Sequence, residues 1–141
     1  MPEQRSDCRA SYTAVRGKRK FYQALIADLA AFAASEFELN ALQEDGTPLR
    51  AHLESLWRNS GEQPKQLAEA PALPALAAHV WGWFIELDKG RGNNGMEAAR
   101  ITPDQVTGWM WFNGVLSLEL WERKAIATLD NVWLAAQRKS K

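Results

Sequence analysis

Residues 90–95 of this 141-residue chain match the pattern of a dinucleotide-binding loop. Their sequence, Gly-Arg-Gly-Asn-Asn-Gly, fits G-x-G-x-x-G letter for letter. In a dinucleotide site those glycines follow a strand and open a helix, so that the backbone can approach a pyrophosphate. Here the preceding segment has helical periodicity and no further strand–helix unit follows. The pattern therefore predicts a flexible connecting loop over residues 89–100, without a nucleotide.

The side chains that bind metals or act as nucleophiles are few and scattered. Neither of the two histidines, His52 and His79, has a cysteine or carboxylate at metal-ligand spacing. The one cysteine, Cys8, cannot form an internal disulfide, which suits a reducing cytoplasm. No serine or aspartate stands in a catalytic signature. The sequence predicts no metal, no cofactor and no enzymatic activity; an enzyme with a Cys–His pair formed across the fold is the minority alternative.

Tryptophan is the residue type that stands out, with seven copies at or after Trp57. Several of these rings are predicted to lie in the core, among them Trp83, Trp109 and Trp121. Three others are displaced by one or two positions from the apolar stripe of their helix, and a helix stripe is limited in width. Because tryptophan and arginine are enriched among interface anchors, we predict that a partner protein is contacted by some of these displaced rings and by a nearby loop arginine. The candidates are Trp81, Arg91, Trp111 and Trp133.

The elements that position these side chains are predicted to be helices. Apolar residues recur at spacings of three and four, while strand alternation is almost absent. The pattern predicts an all-α fold, a compact bundle of about five short helices. Their predicted inward faces are Phe21, Leu25, Leu29, Phe32 and Phe37; Leu49, Leu53, Leu56 and Trp57; Leu76, Val80, Trp83, Phe84 and Leu87; Val106, Trp109 and Met110; and Leu118, Trp121, Ala125, Leu129, Val132 and Ala136.

Local start and stop signals bound these helices. The first helix is predicted over about residues 18–39. Thr47 is predicted to cap the second helix, with Pro48 at its first position and Gly61 at its end, and Pro74 opens the third. The fourth has the strongest start signal, a capping box of Thr102 and Gln105 with Pro103 between them and Gly114 at its end. Ser117 is predicted to cap the last helix, with Leu116 and Trp121 as a hydrophobic staple.

Basic and acidic residues are concentrated in different segments of the chain, although its net charge is zero. Residues 1–20 carry six basic and two acidic side chains, whereas residues 21–88 carry ten acidic and three basic ones. We predict a basic and disordered tail over residues 1–17 and a single helical domain over residues 18–141, with a proline-containing connector at 61–74. A basic tail can also bind nucleic acid or an acidic partner.

Two further classes of function are disfavoured. The longest aliphatic stretch, residues 24–34, is too short to cross a bilayer, so no membrane span is expected. Residues 103–137 have the outline of a helix-turn-helix, but the second helix begins Leu-Glu-Leu-Trp-Glu at residues 118–122. Acidic side chains would there face phosphates, so two packed helices fit better than a DNA-binding unit.

The order of these segments over residues 44–131 resembles the tail assembly chaperones of long-tailed bacteriophages. The segments that carry the resemblance are residues 44–53, 71–74, 81–87, 91–92, 101–106, 109, 118–122 and 126–130. The resemblance implies a non-enzymatic helper in tail morphogenesis that binds the tape measure protein, keeps it in solution and recruits tail tube subunits. It further implies a protein of the host cytoplasm that is absent from the mature virion.

Two alternatives to this function remain open. One is another phage-encoded helical interaction module, such as a virion adaptor or an inhibitor of a host protein. The other is a small DNA-binding regulator that acts through the basic tail. Self-association is compatible with each of them.

Overall fold

Helices make up the regular structure of this chain. The structure is a computed structural model that describes the backbone of residues 2–92 and 98–139 and the side chains of residues 17–92 and 98–139. That part of the chain contains no strand, which confirms the predicted all-α fold. Its elements are α1 (Pro2–Leu39), α2 (Leu49–Ser60), α3 (Lys65–Ala68), a 3₁₀ turn (Ala75–Ala77), α4 (Ala78–Lys89), α5 (Pro103–Asn113) and α6 (Leu120–Lys139).

The core lies between α1, α4 and α6. The most extensive contact between two helices joins α1 to α6, and α4 packs against α6 beside it. The residues buried in this core are Leu25, Leu29, Ala33, Ala77, Val80, Phe84, Leu87, Ile101, Leu118, Ala125, Ile126 and Leu129.

The first predicted helix, residues 18–39, is the C-terminal part of the longer helix α1. Leu25 and Leu29 are buried as predicted, Phe32 and Phe37 are half-buried, and Phe21 is about half exposed. α1 also includes residues 2–17. Their separation from the helical domain as a basic tail is not tested and stays a prediction, and the side chains up to residue 16 lie outside those described.

The start of α2 differs from the prediction. The helix begins at Leu49, and Pro48 stands at the cap position without a side-chain hydrogen bond, so Thr47 does not cap it. The Thr47 hydroxyl instead donates to the Asp45 carboxylate over 2.7 Å, because the tight turn before the helix brings that acceptor closer. The other end agrees with the prediction. Gly61 ends α2 with a φ of 79°, a left-handed conformation that favours glycine.

The pKa of the Asp45 carboxylate lies below its ordinary value. The Thr47 hydroxyl, the Thr47 N–H and His52 all stabilise its charged form, and they lower its pKa from 3.8 to about 2. The carboxylate therefore stabilises the folded turn above pH 3.8, and this contribution is lost as the pH falls through about 2. Thr47→Val should move the Asp45 midpoint back towards 3.8 in a ¹³C NMR titration. A wild-type midpoint near 3.8, or the same shift in Thr107→Val, would contradict this explanation.

The apolar face of α2 is only partly covered. Leu53 is buried, whereas Leu56 and Trp57, which were predicted to face inward, are exposed. The helix packs against α1 near one end of the bundle, so a single neighbour covers a narrow strip of its surface. The prediction was wrong for these two residues because, in the part of the chain that the structure describes, the contact of α2 with α1 leaves both side chains uncovered.

The connector at residues 61–74 contains the short helix α3, residues 70–74 belong to no helix or strand, and Pro74 has the extended backbone that was predicted for this segment. Pro74 precedes the 3₁₀ turn and not α4 itself. Leu76 lies in that turn and is exposed, which corrects its predicted inward position. The tighter winding of a 3₁₀ turn rotates Leu76 away from the face on which Val80 and Phe84 are buried.

The predicted cap of α5 is half confirmed. The Thr102 hydroxyl accepts from the Gln105 N–H over 3.2 Å, Pro103 is the first helical residue, and Gly114 ends the helix with a φ of 71°. The Gln105 side chain does not form the second hydrogen bond of a capping box, the one with the N–H of Thr102. Its amide donates over 2.9 Å to the carbonyl of Leu87, at the end of α4, so it links two helices.

The start of α6 is capped by a different residue from the one predicted. Glu119 precedes the helix, and its N–H donates over 2.8 Å to the side chain of Glu122. Ser117 is therefore not the cap. Leu116 is 98% exposed, so it does not form the predicted staple with Trp121. The Glu122 carboxylate accepts from the N–H of Glu119 at the helix start, and α6 begins two residues later than the predicted cap at Ser117 implies.

Candidate protein-interaction surface

Trp81, one of the four predicted partner contacts, lies in an aromatic cluster between α1 and α4. Its half-buried ring meets Phe32 with ring centroids 5.1 Å apart, and Phe37 and Phe84 at 5.8 and 5.9 Å. These contacts within the chain explain the position of the Trp81 ring, and no partner protein is needed to explain it. A partner contact of Trp81 stays a proposal, since part of the ring is accessible.

Arg91 and Trp133, two more of the predicted contacts, touch each other. The Cζ atom of Arg91 lies 3.6 Å from the centroid of the Trp133 ring, within the range of a cation–π interaction. The Arg91 side chain is only 6% exposed, and its Nη1 donates to Asp130 over 2.6 Å. Its Nε donates to Asp88 over 2.9 Å. These contacts place the Arg91 charge inside the chain, and its predicted contact with a partner stays a prediction.

The ion pair of Arg91 and Asp130 ties the ends of the glycine-rich loop to α6. Arg91 Nη1 also donates to the carbonyl of Ala99 over 2.8 Å, and Asp130 accepts from the N–H of Ile101 over 3.2 Å. One buried pair therefore joins the second residue after α4, the segment before α5 and the middle of α6. Residues 93–97 of the predicted loop, with the last three positions of the glycine pattern, lie outside the described residues.

Trp111, the fourth predicted contact, is largely exposed and has apolar neighbours in the chain. Within the ten-residue segment 111–120, four large side chains are open to solvent, and we refer to them as the hairpin patch. They are Trp111 (85% exposed), Phe112 (83%), Leu116 (98%) and Leu120 (60%). Single exposed apolar residues are ordinary, but a group of them at the turn between two helices indicates a contact surface.

Sequence reasoning found only one member of the hairpin patch. Leu116 was predicted to form a staple, and Phe112 and Leu120 were not selected. The sequence feature that could have revealed the patch is the adjacent pair Trp111–Phe112. Neighbouring helical residues point about 100° apart. Val106, Trp109 and Met110 already occupy the packed side of α5, so two further rings on this short helix exceed what one partner helix can cover.

α5 is attached to the bundle on one side. Its Trp109 ring meets Trp83 of α4 edge to face, with centroids 5.8 Å apart. The Trp109 Nε1 donates to Glu86 over 2.8 Å. With the Gln105–Leu87 bond, these contacts connect α5 to α4, while α5 itself contains no fully buried residue. A helix held along one side keeps its other sides available to a partner.

His79 lies on α4 with 43% of its side chain exposed, and the exposed ring has contacts to α4 and α6. Its Nε2 lies 2.8 Å from a carboxylate oxygen of buried Glu122, and the rings of Trp83 and Trp121 meet it edge to face. The part of the chain that the structure describes contains no group of three or more His, Cys, Asp or Glu side chains that could bind a metal ion. None of its helices combines the length and the apolar character that crossing a membrane requires.

A protein-family model described as phage tail assembly chaperone matches residues 56–135 of the chain. This range covers more than half of the 141 residues. It includes the hairpin patch and all four predicted contact residues. No curated protein and no solved structure matches the chain.

Proposed function

Because the chain belongs to the phage tail assembly chaperone family, we propose that it binds the tape measure protein and recruits tail tube subunits while the tail is built. In this role it acts by binding, without catalysing a reaction. It works in the host cytoplasm and is absent from the mature virion. The family supports the chaperone role, and the two partners are the proposal.

The observation that carries the proposal is the hairpin patch. Its four side chains are exposed and lie in the family-matched part of the chain: Trp111 and Phe112 are on α5, Leu116 is in the turn after it, and Leu120 begins α6. Aromatic side chains bury a large apolar area on binding and dominate the energy of many interfaces. The tape measure protein is expected to be a long helical chain with apolar stripes, which aggregates unless another surface covers them. The hairpin patch can supply such a surface.

Release is as necessary to this role as binding, because the tail tube must replace the chaperone. A patch of four side chains is a small contact compared with the interfaces of permanent complexes. We therefore expect binding of moderate affinity, strengthened when several chaperone molecules cover one tape measure chain.

Co-expression with the tape measure protein tests the proposal. We expect the wild-type chain to keep the tape measure protein in the soluble fraction and to co-purify with it. Trp111→Ala/Phe112→Ala should weaken this binding by about 30-fold, since losing a pair of anchor residues costs on the order of 2 kcal/mol. The matched control is Leu42→Ala, which removes an exposed leucine outside the family-matched residues.

The result that contradicts the proposal is a tape measure protein that stays aggregated with the wild-type chain. Equal binding by the double variant and the control would instead remove the hairpin patch from the interface. Trp81 and Trp133 stay proposed contacts, but their alanine variants also disturb packing, so their effect counts only where near-ultraviolet circular dichroism shows an unchanged fold. Recruitment of tail tube subunits is tested by adding them to the purified chaperone–tape measure complex.

A further inference from the structure

A groove separates α5 from α6, and neither the family match nor the hairpin patch accounts for it. Its volume is about 680 Å³. Val106 and Met110 of α5, which are half-buried, line it together with exposed Ala127 of α6 and with the buried core residues Leu118 and Ile126. Residues three to four apart on each helix line the groove, so two helix faces run along it. An elongated apolar site between two helices is suited to a third helix.

Positive charge borders this apolar groove. Arg100 and Arg123 both line it and are exposed. Arg100 donates over 2.8 Å to the amide oxygen of Asn131, a neutral partner that leaves its charge uncompensated. Among the described residues, the Arg123 guanidinium has no hydrogen bond or ion pair. The acidic residue in the lining, Asp130, is buried and paired with Arg91, so it does not offset the two arginines.

Arg123 lies on α6 and Arg100 is held against the same helix, and the distance between them along α6 defines what they can bind. Arg100 is fixed beside Asn131, which is eight residues beyond Arg123 on the same helix. At a rise of 1.5 Å per residue this corresponds to about 12 Å, or two helical turns. A helix that lies in the groove reaches both guanidinium groups with carboxylates two turns apart, seven or eight residues from each other.

We propose that the groove between α5 and α6 binds an amphipathic helix of the tape measure protein whose apolar stripe is flanked by acidic residues two turns apart. This inference rests on the proposed function and adds to it the site and the chemistry of the bound segment. The apolar stripe packs on half-buried Val106 and Met110 of α5 and on exposed Ala127 of α6, and the carboxylates pair with Arg100 and Arg123. The hairpin patch lies next to Met110 and Leu118, so the same helix can continue onto it.

The charge contribution is tested by reversal. Arg100→Glu/Arg123→Glu should reduce co-purification of the tape measure protein at least about tenfold at low salt, because two attractive pairs become repulsive. Arg58→Glu, which reverses an exposed charge on α2 outside the groove, should leave it unchanged. The wild-type complex should also weaken with salt, since exposed charge pairs are screened. Equal loss in the variant and the control, or no loss in either, overturns the proposal.

The identity of the bound segment is tested by photo-crosslinking. The photoreactive residue p-benzoylphenylalanine replaces Ala127, an exposed residue of the groove wall, and in a control it replaces exposed Ala51 of α2. From position 127 we expect a crosslink to an amphipathic tape measure segment with acidic residues seven or eight apart. A crosslink to a second copy of this chain, to a segment without that pattern, or to no partner while the wild-type complex still forms overturns the groove proposal alone. Absence of a wild-type complex overturns the proposed function and this inference together.

Discussion

Arg91→Met should lower the free energy of unfolding by about 3–5 kcal/mol, the typical cost of removing one partner of a buried ion pair. The substitution leaves the Asp130 carboxylate, only 4% exposed, without its 2.6 Å partner. It also removes the hydrogen bond to the Ala99 carbonyl and the cation above the Trp133 ring. Urea unfolding followed by tryptophan fluorescence measures the change.

The control for this prediction is Arg100→Met, because Arg100 is exposed and donates to a neutral amide. Its effect should stay within about 0.5 kcal/mol, as for most surface substitutions. The double variant Arg91→Met/Asp130→Leu should recover part of the lost stability, since a buried pair can be replaced by apolar side chains. Recovery should be incomplete because the Ile101 N–H loses its acceptor. Equal losses for Arg91→Met and Arg100→Met would show that the buried pair does not stabilise the fold.

Phe84→Ala should cost about 3–5 kcal/mol, the range for removing a buried phenylalanine ring. Phe84 is fully buried on α4 and contacts the rings of Trp81 and Phe37, with centroids 5.9 and 6.1 Å apart. Its removal leaves a cavity between α1 and α4 that rigid aromatic neighbours fill poorly. The near-ultraviolet circular dichroism signal should fall with the unfolding midpoint, because the Trp81 ring loses its fixed environment.

Phe112→Ala is the matched control, since the same residue type is changed at a position that is 83% exposed. Its free energy of unfolding should differ from the wild type by no more than about 0.5 kcal/mol. Similar losses at positions 84 and 112 would mean that Phe112 is packed inside the bundle and is unavailable to a partner. A large loss at Phe84 alone would show that the hairpin patch can be altered without disturbing the fold that carries it.

Some tryptophan and arginine side chains of this protein pack inside the bundle, and others are accessible to a partner. Trp81, Trp133 and Arg91 are held by contacts within the bundle, whereas the Trp111 side chain is 85% exposed and, among the described residues, has no ring contact and no hydrogen bond. Arg100 and Arg123 carry the accessible charge beside the groove. The surface proposed for partners thus lies on both sides of α5, and the buried ion pair of Arg91 positions the segment from which α5 begins.

Helix ends were predictable where the signal is contained in a few adjacent residues. Thr102 with Pro103 starts α5, and Gly61 and Gly114 end α2 and α5, because an N-cap hydroxyl and a left-handed glycine act within one turn of the backbone. The predictions failed where a competing acceptor lay nearby. Asp45 takes the Thr47 hydroxyl, and Glu122 caps α6 in place of Ser117.

Burial could not be predicted in the same way. The sequence by itself determined that the chain is helical, where most of its helices lie and which residues are apolar, since periodicity and caps are local properties. Only the tertiary structure decided that Leu56, Leu76 and Leu116 face solvent and that Arg91 is buried. An apolar stripe shows that a helix can be covered, but whether a given side chain is covered depends on a neighbour that is distant in sequence. Around α5 that neighbour is present on one side only, which leaves the hairpin patch and the groove open to a partner.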